Sequence, residues 1–239
     1  MHSGPIFLLA LSAMTAHIRP KLLIFDVNET LLDLSSLQKA VNEEFASEFA
    51  FKQWFSLLLQ YSLVDTNTRT YNDFSQIGDA ALDMLAQSLG QPARSAERKR
   101  ALLAMLAELP PHPDVVPGLV ALQKAGFQLV TLTNSPASTM RKQIAFAGLT
   151  SYFEELFSVD AVQLYKPRAD TYLYACRQMG VPTKEALLVA AHGWDVAGAL
   201  RSGLQAAFIA RPGQSQYPLA PEPTYVVPTV EALAKQLAG

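Results

Sequence analysis

The chain has 239 residues, half of them hydrophobic and only 17% charged, a balance that builds a folded core and excludes a disordered chain. A formal charge of −2, with no basic cluster beyond Arg98-Lys99-Arg100, argues against nucleic acid as the partner. The single cysteine, Cys176, excludes an intrachain disulfide and a cysteine-based zinc site, and its apolar helical setting marks it as a small core residue.

Residues 6–13 form an apolar run with no preceding Lys or Arg, so the positive start of a secretory signal is missing. The run is also too short to span a bilayer. Residues 1–19 therefore read as a tail or a misplaced start, with Met14 as an alternative initiator and a secreted form as the minority alternative. The expected location is cytoplasmic, with no membrane partner.

The first strong element is the run Leu22-Leu23-Ile24-Phe25 followed by Asp26, which predicts a fully buried strand ending on a carboxylate. Asn28-Glu29-Thr30 then turns the chain. At such a strand end Asp26 can serve a ligand site, or it can simply cap a turn. From residue 34 the spacing becomes helical, with predicted helices over 34–63, over 71–89 closed by Gly90, and over 93–109 stopped by Pro110 and Pro111. Pro110-Pro111-His112-Pro113 reads as a hinge back to the main domain. Helices and strands then alternate: helix 116–125, strand 127–132, helix 137–147, strand 155–159, helix 169–179, strand 186–191, helix 196–202, strands 206–210 and 225–227, and helix 229–237. Repeated β-α-β units with apolar strands predict a doubly wound parallel sheet, an α/β fold of Rossmann-like type, covered on both faces. The expected division is a core domain of residues 20–33 and 113–239, interrupted by a helical domain over 34–112.

Four predicted strands run into polar residues: Asp26; Thr133-Asn134-Ser135-Pro136; Asp160 and Lys166-Pro167; and His192-Gly193-Trp194-Asp195. In a parallel sheet these ends share one edge. Each also has an ordinary structural explanation. Thr133 to Pro136 suit a helix N-cap, Lys166 an exposed lysine, Asp195 the N-cap of the next helix, and His192 a satisfied core histidine.

Taken together and in this order, Asp26-x-x-x-Thr30, Thr133-Asn134, Lys166-Pro167 and Trp194-Asp195 resemble the motifs of the haloacid dehalogenase-like hydrolase superfamily. The helical insertion is similar to that superfamily's cap domain, and the resemblance runs from about Lys21 onward. Its phosphatases carry a second Asp two residues after the nucleophile, where this chain has Asn28, which cannot supply a proton. They also hold magnesium with a Gly-Asp-x-x-x-Asp motif, whose first acid is here Ala191. Both substitutions turn the resemblance toward the type II 2-haloacid dehalogenase branch, which works without metal. Tyr172, six residues after Lys166, and the Trp194-Asp195 pair match that branch. Two features depart from it. Residues 34–63 contain no Arg to receive a halide, and Ala190 and His192 replace the branch's Ser and Asn.

The resemblance implies that Asp26 is a nucleophile that displaces halide from C2 of a small 2-halo acid and forms an ester that water then cleaves. Lys166 would keep Asp26 ionised. Asp195 would position Lys166 or polarise the water, together with His192 as a group able to accept a proton near neutral pH. Thr133, Asn134 and the backbone N–H groups of Val27 and Asn28 would hold the substrate carboxylate, and Thr30 would brace the loop. Tyr172 and Trp194 are further substrate-site candidates. Trp54, with Phe55 and Phe74, is a candidate for an apolar wall, with core packing as the competing role. The implied enzyme needs no cofactor and no metal, takes a small carboxylate as its partner, and forms a homodimer by family analogy. A magnesium-dependent phosphomonoesterase and a weakly active or non-catalytic relative are the alternatives.

Overall fold

The structure is a computed structural model describing residues 18–238, so the tail expected over 1–19 lies, up to residue 17, outside the described residues. Short, mostly continuous apolar runs build a parallel sheet of β1 (Leu22–Phe25), β2 (Gln128–Thr133), β3 (Glu155–Ser158), β4 (Ala186–Ala190), β5 (Gln205–Ile209) and β6 (Tyr225–Val227). The strands lie in the order β3-β2-β1-β4-β5-β6. β1 is central, with Phe25 level with Thr131 on one side and Val189 on the other. The winding direction reverses at β1, so the crevice beyond its carboxyl end is where such a sheet opens to a ligand.

Alternation along β1 sends Leu23 and Phe25 to one face and Leu22 and Ile24 to the other. The first face is covered by α5 (Val115–Lys124), α6 (Ala137–Phe146) and α9 (Val230–Ala238). The second is covered by α7 (Ala169–Met179), which buries Cys176, and by α8 (Gly193–Arg201). This is the doubly wound architecture that the β-α-β pattern predicts. No helix among the described residues is long and apolar enough to cross a membrane.

Between β1 and α5 the chain makes α1 (Ser35–Glu44), α2 (Ala50–Thr68), α3 (Phe74–Ser88) and α4 (Ala96–Ala104), the last tightening into a 3₁₀ turn over Met105–Ala107. The single helix expected over 34–63 is broken. Ala46 takes a left-handed φ of 47°, and the Asn42 side chain bridges the break by accepting from the Phe51 N–H and donating to the Glu48 carbonyl. The helix expected from 71 starts later, because Asp73 and Gln76 form a reciprocal capping box. Ser95 likewise caps α4 and shortens the helix expected over 93–109. The two connections of this helical block run side by side. Asp33 N–H donates to Pro110 O at 2.8 Å and His112 N–H to Leu31 O at 2.9 Å, so the proline stretch is paired with the outgoing chain.

α8 begins at Gly193 rather than at 196. His192 therefore holds the N-cap position and Asp195 sits inside the first turn, so the N-cap explanation of Asp195 does not hold. Gly198 explains how closely α8 approaches the site. A Cβ there would lie 2.7 Å from the Tyr172 hydroxyl and collide with Pro167.

Candidate active site

Asp26 follows the last residue of β1, and its N–H still donates to Val189 O of β4 at 3.0 Å. Backbone pairing thus aims its side chain out of the sheet edge. It is only 4% exposed, yet its carboxylate accepts three hydrogen bonds. Lys166 Nζ donates to Oδ1 at 2.9 Å, while the Thr30 hydroxyl at 2.7 Å and His192 Nδ1 at 3.1 Å hold Oδ2. Burial by itself would raise the Asp26 pKa. The Lys166 charge and the His192 hydrogen bond overcome that and hold the carboxyl well below the usual carboxylate range.

Lys166 is fully enclosed between two acids, with Asp195 Oδ2 at 2.7 Å opposite Asp26. Burial opposes its charge, but the two carboxylates outweigh burial and raise its pKa. Asp195 is pushed up by burial and by Asp26 against the pull of Lys166. Its other oxygen accepts from the Tyr172 hydroxyl, which is wholly buried on α7. Tyr172 is thus corrected from a substrate-site candidate to a support that stands behind Asp195.

The Thr133-Asn134-Ser135-Pro136 segment does not cap α6 with a side chain. That task falls to Asp160, whose carboxylate accepts from Ala137 N–H at 2.7 Å. Thr133 Oγ1 accepts from Ser135 N–H, and Asn134 Oδ1 accepts from Lys166 N–H at 3.1 Å. The Asn134 Nδ2 is buried with no hydrogen-bond partner among the described residues. Among those residues the backbone N–H groups of Val27 and Asn28 also lack a protein acceptor. An orphaned buried donor is costly unless something occupies it, so these groups suit an anionic ligand. Asn28 itself is locked: its Nδ2 donates to Ser135 Oγ at 3.2 Å, and its Oδ1 accepts from Gln143 Nε2 at 2.9 Å. Gln143 donates equally to Leu106 O at 2.8 Å, tying this network to the helical block.

His192 corrects a second expectation. Both ring nitrogens face carboxylates, Nδ1 on Asp26 Oδ2 and Nε2 on Glu29 Oε2 at 2.8 Å. Burial disfavours its charge, but the bonds to Asp26 and Glu29 prevail and raise its pKa to about 10. A carboxylate on each ring nitrogen favours the imidazolium form, which does not suit the expected role of proton acceptor. Its ring is stacked with Trp194, at 5.2 Å, and with Phe55 of α2, at 6.4 Å. Trp194 also faces Lys166 Nζ at 5.9 Å. Trp54 does not reach the site. Its indole N–H donates to Gly78 O at 2.9 Å inside the helical block, and Phe74 packs on Tyr165. Phe55 is the aromatic of the three that meets the site, because neighbours on a helix point about 100° apart.

Two participants had no sequence signal. Glu29 reaches His192 only because it adopts a left-handed φ of 59°, a conformation that costs a non-glycine residue about 1 kcal/mol or more. It lines a cleft of about 330 Å³ with Asp33, Gln38, His112, Arg211 and Gln214. Arg211 donates to the Thr30 carbonyl at 2.9 Å and pairs with Asp114, pinning the loop that carries Thr30. The donor set does not suit magnesium. Position 191 carries no oxygen ligand, and both Asp26 oxygens are taken by cationic or hydroxyl donors.

The model of a haloacid dehalogenase-like hydrolase family matches residues 20–203. (S)-2-haloacid dehalogenase 1 of Pseudomonas sp. (strain CBS-3) is 32% identical over 202 residues, which is 83% of this chain and 88% of that protein. An (S)-2-haloacid dehalogenase of Xanthobacter autotrophicus is 31% identical over 81% of this chain and 76% of its own. A solved structure of L-2-haloacid dehalogenase from Xanthobacter autotrophicus superposes with a TM-score of 0.85 at 26% identity, covering 92% of this chain and 99% of the other. Another, with chloropropionic acid covalently bound, gives 0.84 over the same shares.

Proposed function

The chain belongs to the haloacid dehalogenase-like hydrolase family, and from that premise we propose that it hydrolyses small (S)-2-haloalkanoic acids, without metal, through an ester on Asp26. One observation carries the proposal: a buried, ionised carboxylate stands beside an amide, Asn28, that is already engaged and offers no proton. A phosphate ester's alkoxide needs that proton, whereas a halide departs as an anion. The relatives named as (S)-2-haloacid dehalogenases and the covalent chloropropionic acid complex support both the substrate class and the covalent route.

Asp26 Oδ1 carries a single hydrogen bond, from Lys166, and keeps a lone pair for attack at C2. Oδ2, fixed by Thr30 and His192, anchors the carboxylate. The substrate carboxylate lies against Asn134 Nδ2, the Thr133 hydroxyl and the N–H groups of Val27 and Asn28. The C2–Oδ1 bond forms as the carbon–halogen bond breaks and its electron pair leaves with the halide. Water then attacks Cγ, and cleavage of Cγ–Oδ1 releases the 2-hydroxy acid. A single turnover in ¹⁸O-water tests this. The first product is expected to carry unlabelled oxygen, with the label found in Asp26. Labelled first product means direct attack by water and sinks the ester route.

A further inference from the structure

The mechanism leaves Glu29 without a task and gives His192 only that of anchoring Oδ2. They form a linked pair, a partly exposed carboxylate at the cleft rim on Nε2 at 2.8 Å and the nucleophile's Oδ2 on Nδ1 at 3.1 Å. The Trp194 and Phe55 rings lie nearly parallel to the imidazole, at 5.2 and 6.4 Å between centroids. Its two N–H groups therefore have fixed directions and fixed acceptors.

We propose that His192, held as an imidazolium by the positioning residue Glu29, forms with the Thr30 hydroxyl a charged oxyanion hole for hydrolysis of the Asp26 ester. The inference rests on the ester reading above. Once Oδ1 is alkylated, Oδ2 becomes the ester carbonyl oxygen, and it already lies on both donors. When water adds to Cγ, the C=Oδ2 electron pair moves onto Oδ2, where the imidazolium and the hydroxyl meet the new charge. The proton lost by the water passes to Asp195. Collapse restores C=Oδ2 and breaks Cγ–Oδ1, and the departing Oδ1 takes a proton from the Lys166–Asp195 pair that borders it. The remaining acid proton on Asp26 is lost to solvent, so ester and water give carboxylate, hydroxy acid and one proton.

Glu29 is needed because alkylation removes the negative charge of Asp26, one of the two carboxylates facing His192. From then on Glu29 is the hydrogen-bonded counter-charge that keeps the ring protonated in a buried place. A neutral ring could still sit there, but it would face the developing oxyanion with half the charge pattern missing. In the first step the same donors anchor the carboxylate, but a cation on Oδ2 also withdraws charge from the nucleophile. The pair should thus separate the two half-reactions.

The test is rapid-quench kinetics on Glu29→Gln and His192→Asn, with 2-chloropropionate and 2-bromopropionate as probes and intact-mass detection of the adduct. Ester hydrolysis is expected to slow by about 10²-fold, well beyond any change in halide release, so the adduct persists on Asp26. His192→Asn keeps a neutral donor and reads the charge alone if Glu29→Gln fails to fold. Unchanged ester hydrolysis, or equal slowing of both steps, overturns the proposal. A wild-type protein that releases no halide from any 2-halo acid overturns instead the reaction on which the proposal rests, a result readily told apart from normal halide release with unaffected variants.

Discussion

The two oxygens of Asp26 look out on two unlike regions. On the Oδ1 side Lys166, Asp195 and Tyr172 form a buried hydrogen-bonded chain. On the Oδ2 side Thr30, His192 and Glu29 lead from the same carboxylate toward the cleft beside the helical block. The first chain balances buried charge and so must be complete for the protein to fold with Asp26 ionised. The second adds a cation, His192, whose partner Glu29 is a left-handed loop residue at the cleft rim. One nucleophile is thus served by a buried half and a half that leads to the cleft.

The comparison breaks most completely at its hinge. Asp26→Asn is expected to abolish turnover, by at least about 10⁴-fold, measured as halide release by a purified sample. Lys166→Met strikes the closed side and leaves two buried carboxylates facing each other. We expect loss of activity together with a destabilisation of about 3–5 kcal/mol in denaturant unfolding, and a stable variant would show that the triad carries less charge stress than its burial implies. Tyr172→Phe removes one donor from Asp195 while keeping the ring, so a loss of about 1–3 kcal/mol with a smaller kinetic effect should follow.

On the open side the expected effect is on pH dependence. The His192 pKa is raised in the folded protein to about 10, against about 6.5 for an unperturbed histidine. Its contribution to stability is therefore complete below about 6.5 and is lost as pH rises through about 10. Unfolding free energy should fall over that window in the unaltered protein, and His192→Asn should remove that fall; a parallel fall in both would assign it to other groups. The smallest effect should come from Trp54→Phe, which sits a layer away from the site. It should lower thermal stability through the lost bond to Gly78 O while leaving kcat/KM close to that of the unaltered protein.

Much of the closed side was legible in the chain. Asp26, Thr133-Asn134, Lys166 and Asp195 each follow an apolar strand, and parallel strands must bring such ends to one edge. Helix starts were less legible, since Asp73 and Ser95 override apolar periodicity by side-chain capping. Neighbouring candidates on one helix, Trp54 and Phe55, could not be told apart without knowing which way α2 is turned.

What the amino-acid sequence determined by itself was the set of strand-end groups, the replacement of an acid by Asn28 and of another by Ala191, and the doubly wound order of elements. Those follow from local pattern and from the fixed hand of β-α-β connections. Only the tertiary structure decided which group meets which oxygen. Glu29 and His192 are 163 residues apart, and their pairing depends on the left-handed turn at Glu29, the start of α8 at Gly193 and the aromatic cover that Phe55 supplies. Hydrogen bonds are short-ranged and directional, so no pattern along the chain encodes such a meeting. The carboxylate was visible as a strand end; the charge placed on each of its oxygens came from the fold.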